Sequence, residues 1–383
     1  MNKINVMTVF GTRPEAIKMA PIIKKLKKDR RFESIVVVTG QHKEMLDQVL
    51  DIFEITPDYD LNLMEKNQTL LDVTIKVMSN LDKILNKQKP DIVLVHGDTT
   101  TTFAASVIAF YDGIKIAHVE AGLRTWNLSS PFPEEMNRRV TDILADIYFA
   151  PTNVSKENLL KENHKEKDIF ITGNTAIDSI RYTVKKNYTS KLLSEVGENK
   201  FLLVTMHRRE NFGMPMQNVF KAINKIMNKY SNLHVIFPIH RNPKVRKIAN
   251  EILNTSDRLH LTSPMDIVDF HNIAKKAFLI LSDSGGVQEE APSLGRPVLI
   301  LRNTTERPEG VEAGALRLVG TDDRVIVREV CNLIDDFQAY NLMTKIINPY
   351  GDGFASERII EYIAYIFGLT KNKPKEFEVF YEK

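Results

Sequence analysis

The stretch that decides the fold is residues 92–122, IVLVHGDTTTTFAASVIAFYDGIKIAHVEAG. It begins with a short apolar run, Ile92–His96, and a second such run, Lys115–His118, follows a helical pattern. Two short β-branched runs separated by a helical stretch are typical of a βαβ unit, whose strands lie parallel and are buried on both faces. This stretch therefore predicts an α/β fold.

The same alternation of strand and helix patterns continues along nearly the whole chain. The predicted strands of the first half are Ile4–Val9, Ser34–Thr39, Ile92–His96, Lys115–His118, Ile147–Ala150 and Ile169–Thr172. Those of the second half are Phe201–Thr205, Leu233–Pro238, Leu259–Leu261, Phe278–Ser282 and Pro297–Leu301. A polar, lysine-rich segment separates the two halves. We predict an N-terminal domain over residues 1–182, a linker over 183–200 and a second α/β domain from 201 to 355.

The composition agrees with this division and excludes several classes of protein. The chain has 383 residues, two to three times the ~150 residues of a common domain. Apolar residues make up 43%, charged residues 26%, and the formal net charge is +3. These values are ordinary for a soluble globular protein and argue against disorder. The lysines are scattered rather than clustered, so we expect no nucleic-acid partner.

Membrane insertion and secretion are not expected. The longest run without a charged residue, Thr99–Tyr111, has 13 residues, and a membrane-spanning helix needs roughly 18 to 20. The apolar run before Gly11 is too short for a secretory signal, so we expect a cytoplasmic protein. The single cysteine, Cys331, can form neither a disulfide nor a thiolate metal site within one chain.

The first strand runs into Gly11-Thr12-Arg13-Pro14-Glu15, where a tight turn opens a helix. Free backbone N–H groups at the helix start, together with Arg13 and with Lys18 one turn later, could bind a phosphate. An ordinary turn with a solvated arginine is an equally good interpretation. The segment lacks both the G-x-G-x-x-G pattern and a P-loop, which disfavours a dinucleotide site and a P-loop NTPase.

Two neighbouring strands end in acidic motifs, His96-Gly97-Asp98 and His118-Val119-Glu120. Because parallel strands end on the same edge of a sheet, Asp98 and Glu120 should lie close together, where ligands of open α/β sheets bind. Burial and mutual repulsion can push apart the pKa values of two such carboxylates, as acid–base catalysis requires. We therefore predict an acid–base pair.

Two alternatives concern the histidines of the same motifs. His96 and His118 could hold a metal ion together with the carboxylates, but Arg124, Arg138 and Arg139 already offer positive charge nearby. A structural hydrogen-bond role for either histidine is the favoured interpretation, and no metal is expected.

A third acidic group lies at the start of a predicted helix within residues 130–139, SPFPEEMNRR. Glu134 and Arg138 are four residues apart and share a helical face. They could belong to the active site or form an exposed ion pair of about 0.3–0.5 kcal/mol, and the sequence favours neither.

The second half has two further polar strand ends. Residues 205–211, TMHRREN, place His207 and Arg208 after a strand, and this basic strand end suits an anion. Residues 282–290, SDSGGVQEE, place paired glycines between a strand and a helix, where backbone N–H groups can approach a diphosphate. Glu290, one turn into that helix, could accept hydrogen bonds from ribose hydroxyls.

Six motifs together give the chain a family resemblance over essentially its whole length. They are GTRPEA (11–16), HGDT (96–99), HVEAGLR (118–124), PEEMNR (133–138), HRREN (207–211) and DSGGVQEE (283–290). With these motifs the chain resembles the non-hydrolysing UDP-N-acetylglucosamine 2-epimerases. The resemblance implies a GT-B type fold, in which two Rossmann-like domains with parallel sheets face a central cleft and the C-terminal helix and tail, here 356–383, pack on the first domain.

The resemblance also implies a reaction. UDP-GlcNAc and UDP-ManNAc interconvert through elimination of UDP to 2-acetamidoglucal and re-addition, without a cofactor, supplying ManNAc for cell-surface polysaccharides. The resemblance assigns proton transfer to Asp98, Glu120 and Glu134, stabilisation of departing UDP to His207 and Arg13, further active-site positions to Lys18 and Arg138, and diphosphate and ribose contacts to Ser284, Gly285, Gly286 and Glu290.

A homodimer is implied as well, and so is a possible activator site that takes a second substrate molecule. Gln41, His42, Arg208 and His240 match parts of that site. Met206 departs from the family pattern, because relatives usually carry a small residue before the His-Arg-Arg segment.

Three rival functions stay open. A hydrolysing epimerase would release ManNAc and UDP, and a GT-B glycosyltransferase would need an acceptor pocket. A catalytically silent nucleotide-sugar sensor would keep Ser284–Glu290 but would not need Asp98, Glu120 and Glu134.

Overall fold

The structure is a computed structural model that describes residues 3–40, 43–65, 68–253, 255–305 and 307–379. The strands are β1 (Ile4–Phe10), β2 (Phe32–Val38), β3 (Tyr59–Asp60), β4 (Ile92–His96), β5 (Lys115–Val119), β6 (Ile147–Ala150), β7 (Ile169–Ile171), β8 (Phe201–Thr205), β9 (His234–Pro238), β10 (Leu259–Thr262), β11 (Leu279–Ser282), β12 (Val298–Ile300) and β13 (Leu316–Leu318). Among the helices of these described residues, none is long and apolar enough to cross a membrane.

Helices connect the strands throughout. They are α1 (Arg13–Leu26), α2 (Lys43–Ile52), α3 (Leu70–Gln88), α4 (Thr100–Tyr111), α5 (Glu134–Leu144), α6 (Asn153–Lys161), α7 (Thr175–Thr183), α8 (Lys191–Val196), α9 (Met214–Lys229), α10 (Pro243–Ile252), α11 (Ile267–Lys276), α12 (Gly285–Glu290), α13 (Pro308–Glu312), α14 (Asp323–Asp335), α15 (Phe337–Thr344) and α16 (Ala355–Ile366). Short 3₁₀ turns lie at Glu166–Asp168, Arg209–Asn211 and Ala291–Leu294.

The strands form two parallel sheets with the same winding. The first sheet has the order β3-β2-β1-β4-β5-β6-β7 and the second the order β10-β9-β8-β11-β12-β13. In both, the chain moves outward from the first strand in one direction and then in the other, which is the Rossmann order. The direction reverses between β1 and β4 and between β8 and β11, and crevices at such points are where α/β proteins bind ligands.

Every predicted strand is present, with ends displaced by two residues or fewer. Two strands were not predicted, β3 and β13, and both lie at a sheet edge. Edge strands are often very short, and β3 has 2 residues while β13 has 3. A stretch of that length carries no periodicity that a sequence pattern could reveal.

The chain divides into two compact units, Met1–Tyr182 with Tyr350–Glu378, and Thr183–Pro349 with Val379–Lys383. The segment 183–200, predicted as a linker, thus falls in the second unit and contains α8. Its first residues are held by Asn272, whose Nδ2 donates to Thr183 O at 2.8 Å and whose Oδ1 accepts from Lys185 N at 2.8 Å.

The C-terminal return to the first unit begins at Tyr350, a few residues before the predicted position of 356. Tyr350 O accepts a hydrogen bond from Asn174 N at 2.7 Å, which places this residue in the first unit. Helix α16 then lies against α1, and Lys25 pairs with Glu357 at 2.5 Å. Asp178 caps α16 by accepting from Ser356 N at 2.7 Å. Burial raises the pKa of Asp178 to about 6.

Each unit has its own apolar core. Leu81, Val93, Val95, Ala105 and Ile116 are among the buried residues that join α3, α4 and the sheet of the first unit. In the second unit, a comparable cluster joins α9 and α14 to strands β8, β9 and β11. Helices therefore cover the sheet faces, which leaves the strand ends for polar chemistry.

Candidate active site

A reciprocal capping box between Thr12 and Glu15 lies at the start of α1, directly after β1, where the strand order of the first sheet reverses. Glu15 Oε2 accepts from Gly11 N at 3.0 Å and from Thr12 N at 2.7 Å. Its Oε1 accepts from Thr99 Oγ1 at 2.7 Å and from Thr102 Oγ1 at 3.1 Å. Burial raises the pKa of Glu15, although these hydrogen bonds oppose the rise. Glu15 therefore ties the start of α1 to the start of α4, with Arg13 partly exposed on the adjoining turn.

Asp98 and Glu120 follow neighbouring strands and lie on one edge of the first sheet. Strands β4 and β5 pair with His96 opposite Val119. Gly97 has φ +65°, and a Cβ at that position would stand 3.8 Å from Glu120 Oε1. The Glu120 carboxylate thus lies against the backbone that precedes Asp98.

Glu120 is held by two long-range partners. Lys18 Nζ from α1 pairs with Glu120 Oε2, and Asn174 Nδ2 donates to the same oxygen at 2.8 Å. The Glu120 side chain is 10% exposed. Its backbone has φ +69°, a strained conformation for a residue with a side chain. Such strain is common at functional sites.

His96 lies beside this pair and stays neutral. Its Nε2 is 3.7 Å from Glu120 Oε2. Burial lowers the pKa of His96 to about 3, against the opposing charge of Glu120. Neither ring nitrogen has a hydrogen-bond partner among the residues that the structure describes, so the structural hydrogen bond expected for His96 is not seen.

Asp98 forms a second charged pair on the same edge. Arg138 Nε donates to Asp98 Oδ2 at 3.1 Å, and its Nη2 contacts the same oxygen. Asn137 Nδ2 donates to Asp98 O at 2.9 Å. Because the Asp98 side chain is 29% exposed, its carboxylate is restrained but accessible to a ligand.

Glu134, the first residue of α5, is partly exposed. The simple ion pair with Arg138 is not formed, because Arg138 is engaged by Asp98 and donates from Nη1 to Glu135 Oε2 at 3.0 Å. Within the described part of the chain, the Glu134 carboxylate has neither a hydrogen bond nor an ion pair. It is the least restrained of the three candidate acids.

His118 has a structural position. It is fully buried, with Nδ1 2.6 Å from Asp142 Oδ1 and Nε2 2.7 Å from Gly97 O. Burial raises the pKa of Asp142, but His118 and Arg124 more than offset this and hold it below its usual value. These contacts fix the turn that carries Asp98. Across the described residues, no group of three or more His, Cys, Asp or Glu side chains is arranged to hold a metal ion.

In the second unit, the buried Asp283 organises the strand end that carries His207. Its Oδ2 accepts from His207 N at 3.1 Å, Arg208 N at 3.0 Å and Asn211 Nδ2 at 3.0 Å. His207 Nδ1 lies 3.3 Å from Asp283 Oδ1, while the ring is 42% exposed and stacks on His240. The other ring nitrogen, Nε2, is thus the one a ligand would meet.

The two glycines at the start of α12 have different surroundings. A Cβ on Gly285 would stand 2.7 Å from Arg307 Nη1, whereas Gly286 has open space apart from Glu290 Oε1 at 4.0 Å. Arg307 Nε donates to Glu289 Oε1 at 2.7 Å. The Arg307 guanidinium therefore occupies the space beside Gly285 in which the sequence analysis expected a diphosphate. The space beside Gly286 is open.

The remaining predicted residues have mixed outcomes. Ser284 is the N-cap residue of α12, and its backbone N–H donates to Ser282 Oγ at 3.0 Å. Glu290 is 13% exposed and faces His271. Of the activator residues, Arg208 and His240 lie beside His207, while Gln41 and His42 are outside the described residues.

Sequence reasoning did not single out Asn174, Glu135 or Asp283 as partners of the site. Asn174 lies three residues after the end of β7, and a polar residue shortly after a predicted strand was its one available signal. Asp283 belongs to the DSGGVQEE motif, but nothing in the sequence indicated that its carboxylate accepts hydrogen bonds from backbone N–H groups.

Comparison with known proteins adds the family. A family model described as UDP-N-acetylglucosamine 2-epimerase matches residues 24–364. The chain belongs to this family. A UDP-N-acetylglucosamine 2-epimerase of Bacillus subtilis (strain 168) is 56% identical over 377 residues, covering 98% of this chain and 99% of the relative. The match confirms the resemblance inferred from the six motifs, and an epimerase is an isomerase.

Solved structures agree. A Listeria monocytogenes protein of known structure has a TM-score of 0.94 at 51% identity, covering 99% of this chain and 100% of that chain. A Neisseria meningitidis UDP-GlcNAc 2-epimerase, solved bound to UDP-GlcNAc, has a TM-score of 0.86 at 48% identity, covering 94% and 99%. A glycosyltransferase at 11% identity and TM-score 0.63 shares the fold alone. The predicted α/β, GT-B type fold class is confirmed.

Proposed function

We propose that this protein interconverts UDP-GlcNAc and UDP-ManNAc without hydrolysis. The observation that carries the proposal is the pairing of Glu120 with Lys18 and of Asp98 with Arg138 on one edge of the first sheet. Support for the substrate comes from the Neisseria meningitidis relative, whose structure contains UDP-GlcNAc.

The chemistry demands such paired groups. The C2 proton lies next to no carbonyl, so it becomes acidic only as C1 gains positive charge. In the elimination, the C1–O bond breaks with its electron pair going to UDP, a carboxylate takes the C2 proton, and a C1–C2 double bond forms. Stabilisation of the leaving group and proton abstraction must therefore act together. Re-addition of UDP with protonation from the opposite face inverts C2.

Glu120, Asp98 and Glu134 are the proton-transfer groups in this proposal. Two groups are needed because the proton leaves one face of C2 and returns to the other. Glu120 and Asp98 each pair with a cation and serve as the bases in this proposal. Glu134 lacks such a restraint among the described residues and suits the role of proton donor.

The nucleotide contacts belong to the second unit in this proposal. His207 would stabilise the departing diphosphate through the ring nitrogen that Asp283 does not face. Gly286 offers its backbone N–H group and Ser284 its hydroxyl to the diphosphate, while Arg307 packs beside Gly285. Glu290 would bind the ribose hydroxyls.

A homodimer fits an apolar face of the first unit. Helices α3, α4 and α5 are neighbours in the structure. Their large exposed apolar side chains are Leu70, Leu71, Ile75, Phe110, Tyr111 and Ile143. Monomeric proteins rarely expose large contiguous apolar patches. Ile75→Lys should convert a dimer to a monomer in sedimentation, and a wild-type protein that is monomeric at micromolar concentration would contradict the dimer.

One product analysis tests the reaction. The protein is incubated with UDP-GlcNAc and excess chelator, without nicotinamide, and sugar products are followed by NMR. We expect UDP-ManNAc at equilibrium with UDP-GlcNAc. Accumulation of free ManNAc and UDP would instead show a hydrolysing epimerase, and transfer of the sugar to an added acceptor would show a glycosyltransferase. Recovery of a chelated, inactive enzyme by a divalent ion would contradict the metal-free chemistry.

A further inference from the structure

A buried histidine that none of the recognised motifs contains faces Glu290 in the second unit. His271 lies on α11 with no exposed surface. Its Nδ1 is 2.6 Å from Thr183 Oγ1, and its Nε2 is 3.3 Å from Glu290 Oε2. Within the described residues, this Nε2 has no hydrogen-bond partner of good geometry. Burying such a nitrogen without a partner is costly, so its neighbour matters.

The chemistry of the two neighbours decides which nitrogen carries the hydrogen. An ionised carboxylate only accepts hydrogen bonds, whereas a hydroxyl can donate or accept. A hydrogen on Nε2 would face Glu290, with Thr183 Oγ1 as the partner of Nδ1 at 2.6 Å. Thr183 is itself fixed, because its carbonyl oxygen accepts from Asn272 Nδ2 at 2.8 Å.

Glu290 presents its two oxygens in different directions. Oε2 faces His271, while Oε1 lies 4.0 Å from the position of a Cβ on Gly286, at the open side of the glycine turn. A flexible carboxylate loses rotamer freedom when it binds a ligand, and a partner that holds it beforehand lowers that cost. Such partners behind a ligand-binding side chain strongly affect affinity in metal sites.

We propose that His271 is a positioning residue for nucleotide binding, which holds Glu290 through Nε2–H with Thr183 selecting the tautomer. The proposal rests on the proposed function, in which Glu290 binds the ribose. A histidine that served only to pack α11 would affect stability without changing the affinity for UDP in particular.

Two substitutions at one position separate these roles. His271→Asn keeps an acceptor near Nδ1 for Thr183 but removes the donor that faces Glu290. His271→Gln can place an N–H group near the position of Nε2. We expect His271→Asn to weaken UDP binding about tenfold in calorimetry and to raise KM with kcat nearly unchanged, and His271→Gln to restore most of the affinity. In a Glu290→Gln background, His271→Asn should cause no further loss.

The controls distinguish failure of this inference from failure of the proposed function. If wild-type protein does not bind UDP, or if Glu290→Gln binds it normally, the ribose role of Glu290 is wrong and the inference is overturned with it. If Glu290→Gln weakens binding but His271→Asn does not, only the inference is overturned. Should His271→Asn fail to fold, Thr183→Val provides the second route. It removes the hydroxyl without a change of shape, and normal UDP affinity in this folded variant would overturn the proposal.

Discussion

Both units carry carboxylates at the ends of central strands, but the carboxylates of the two units have different partners. In the first unit, Glu120 and Asp98 pair with cationic side chains and keep some exposure to solvent. In the second unit, Asp283 is fully buried, and its oxygens accept hydrogen bonds from backbone N–H groups and from Asn211. One arrangement keeps carboxylates available for chemistry, and the other uses a carboxylate to shape a turn.

This difference does not come from the sheets, because both have the same strand order on either side of the reversal point. It comes from the different hydrogen-bond donors that contact each carboxylate. Lys18 reaches Glu120 from α1, while the turn after β8 folds its own N–H groups onto Asp283. Substitutions at the two strand ends should therefore have separable effects on turnover, stability and affinity.

The largest effect is expected from Glu120→Gln, which keeps the shape and removes the charge. We expect kcat to fall by roughly 10²–10⁴, the usual contribution of general acid–base catalysis, with little change in UDP affinity. Steady-state kinetics and calorimetry measure both quantities. Glu251→Gln, at an exposed carboxylate on α10, is the matched control. Near-normal turnover of Glu120→Gln would remove this residue from the mechanism.

Asp283→Ala should instead act on stability. It leaves the N–H groups of His207 and Arg208 without their acceptor. A buried donor left without its acceptor typically costs about 1–3 kcal/mol in the free energy of unfolding. Denaturant unfolding measures the loss, and Glu251→Gln, at an exposed carboxylate, should change this free energy by less than ~1 kcal/mol in the same assay. An Asp283→Ala protein as stable as the wild type would contradict this structural role.

A third use of a carboxylate, the cap of α16 by Asp178, gives a pH effect. Its pKa is raised to about 6, so the folded state holds the proton more tightly than the unfolded state does. The stability from this group is present below about pH 4 and is lost as the pH rises through 6. Relative to Asp178→Asn, the wild type should lose on the order of 2 kcal/mol between pH 4 and pH 7. A constant difference across this range would contradict the raised pKa.

The smallest effect is expected from Glu290→Gln. Ribose hydrogen bonds are made equally in the ground state and the transition state, so their loss raises KM and leaves kcat mostly intact. We expect about a tenfold rise in KM, or about 1.4 kcal/mol. A fall in kcat comparable with that of Glu120→Gln would show that the second unit takes part in the proton-transfer step.

Much of the framework was predictable because its signals are local. Short apolar runs marked the strands, and consecutive strand ends implied that Asp98 and Glu120 share an edge. The partners of these groups were not predictable, because they come from distant parts of the chain. Lys18 and Asn174 are 102 and 54 residues from Glu120, and no local pattern relates them.

Arg138 shows how a correct spacing can still mislead. Glu134 and Arg138 lie four residues apart on α5, but the guanidinium binds Asp98, 40 residues away, and Glu135. Gly285 is a similar case. Its small size was interpreted as room for a diphosphate, whereas the structure fills that room with Arg307, whose loop gave no signal in the sequence. Long-range contacts decided both outcomes.

Exchange at C2 is the measurement that tests the division of work most directly. Wild type, Glu120→Gln and Glu290→Gln are each given saturating UDP-GlcNAc in D₂O, and the C2 position is followed by NMR. We predict deuterium at C2 of both epimers with wild type and at a similar rate with Glu290→Gln, but a rate lower by roughly 10²–10⁴ with Glu120→Gln. Epimerisation without deuterium incorporation, or unimpaired incorporation by Glu120→Gln, would contradict the account.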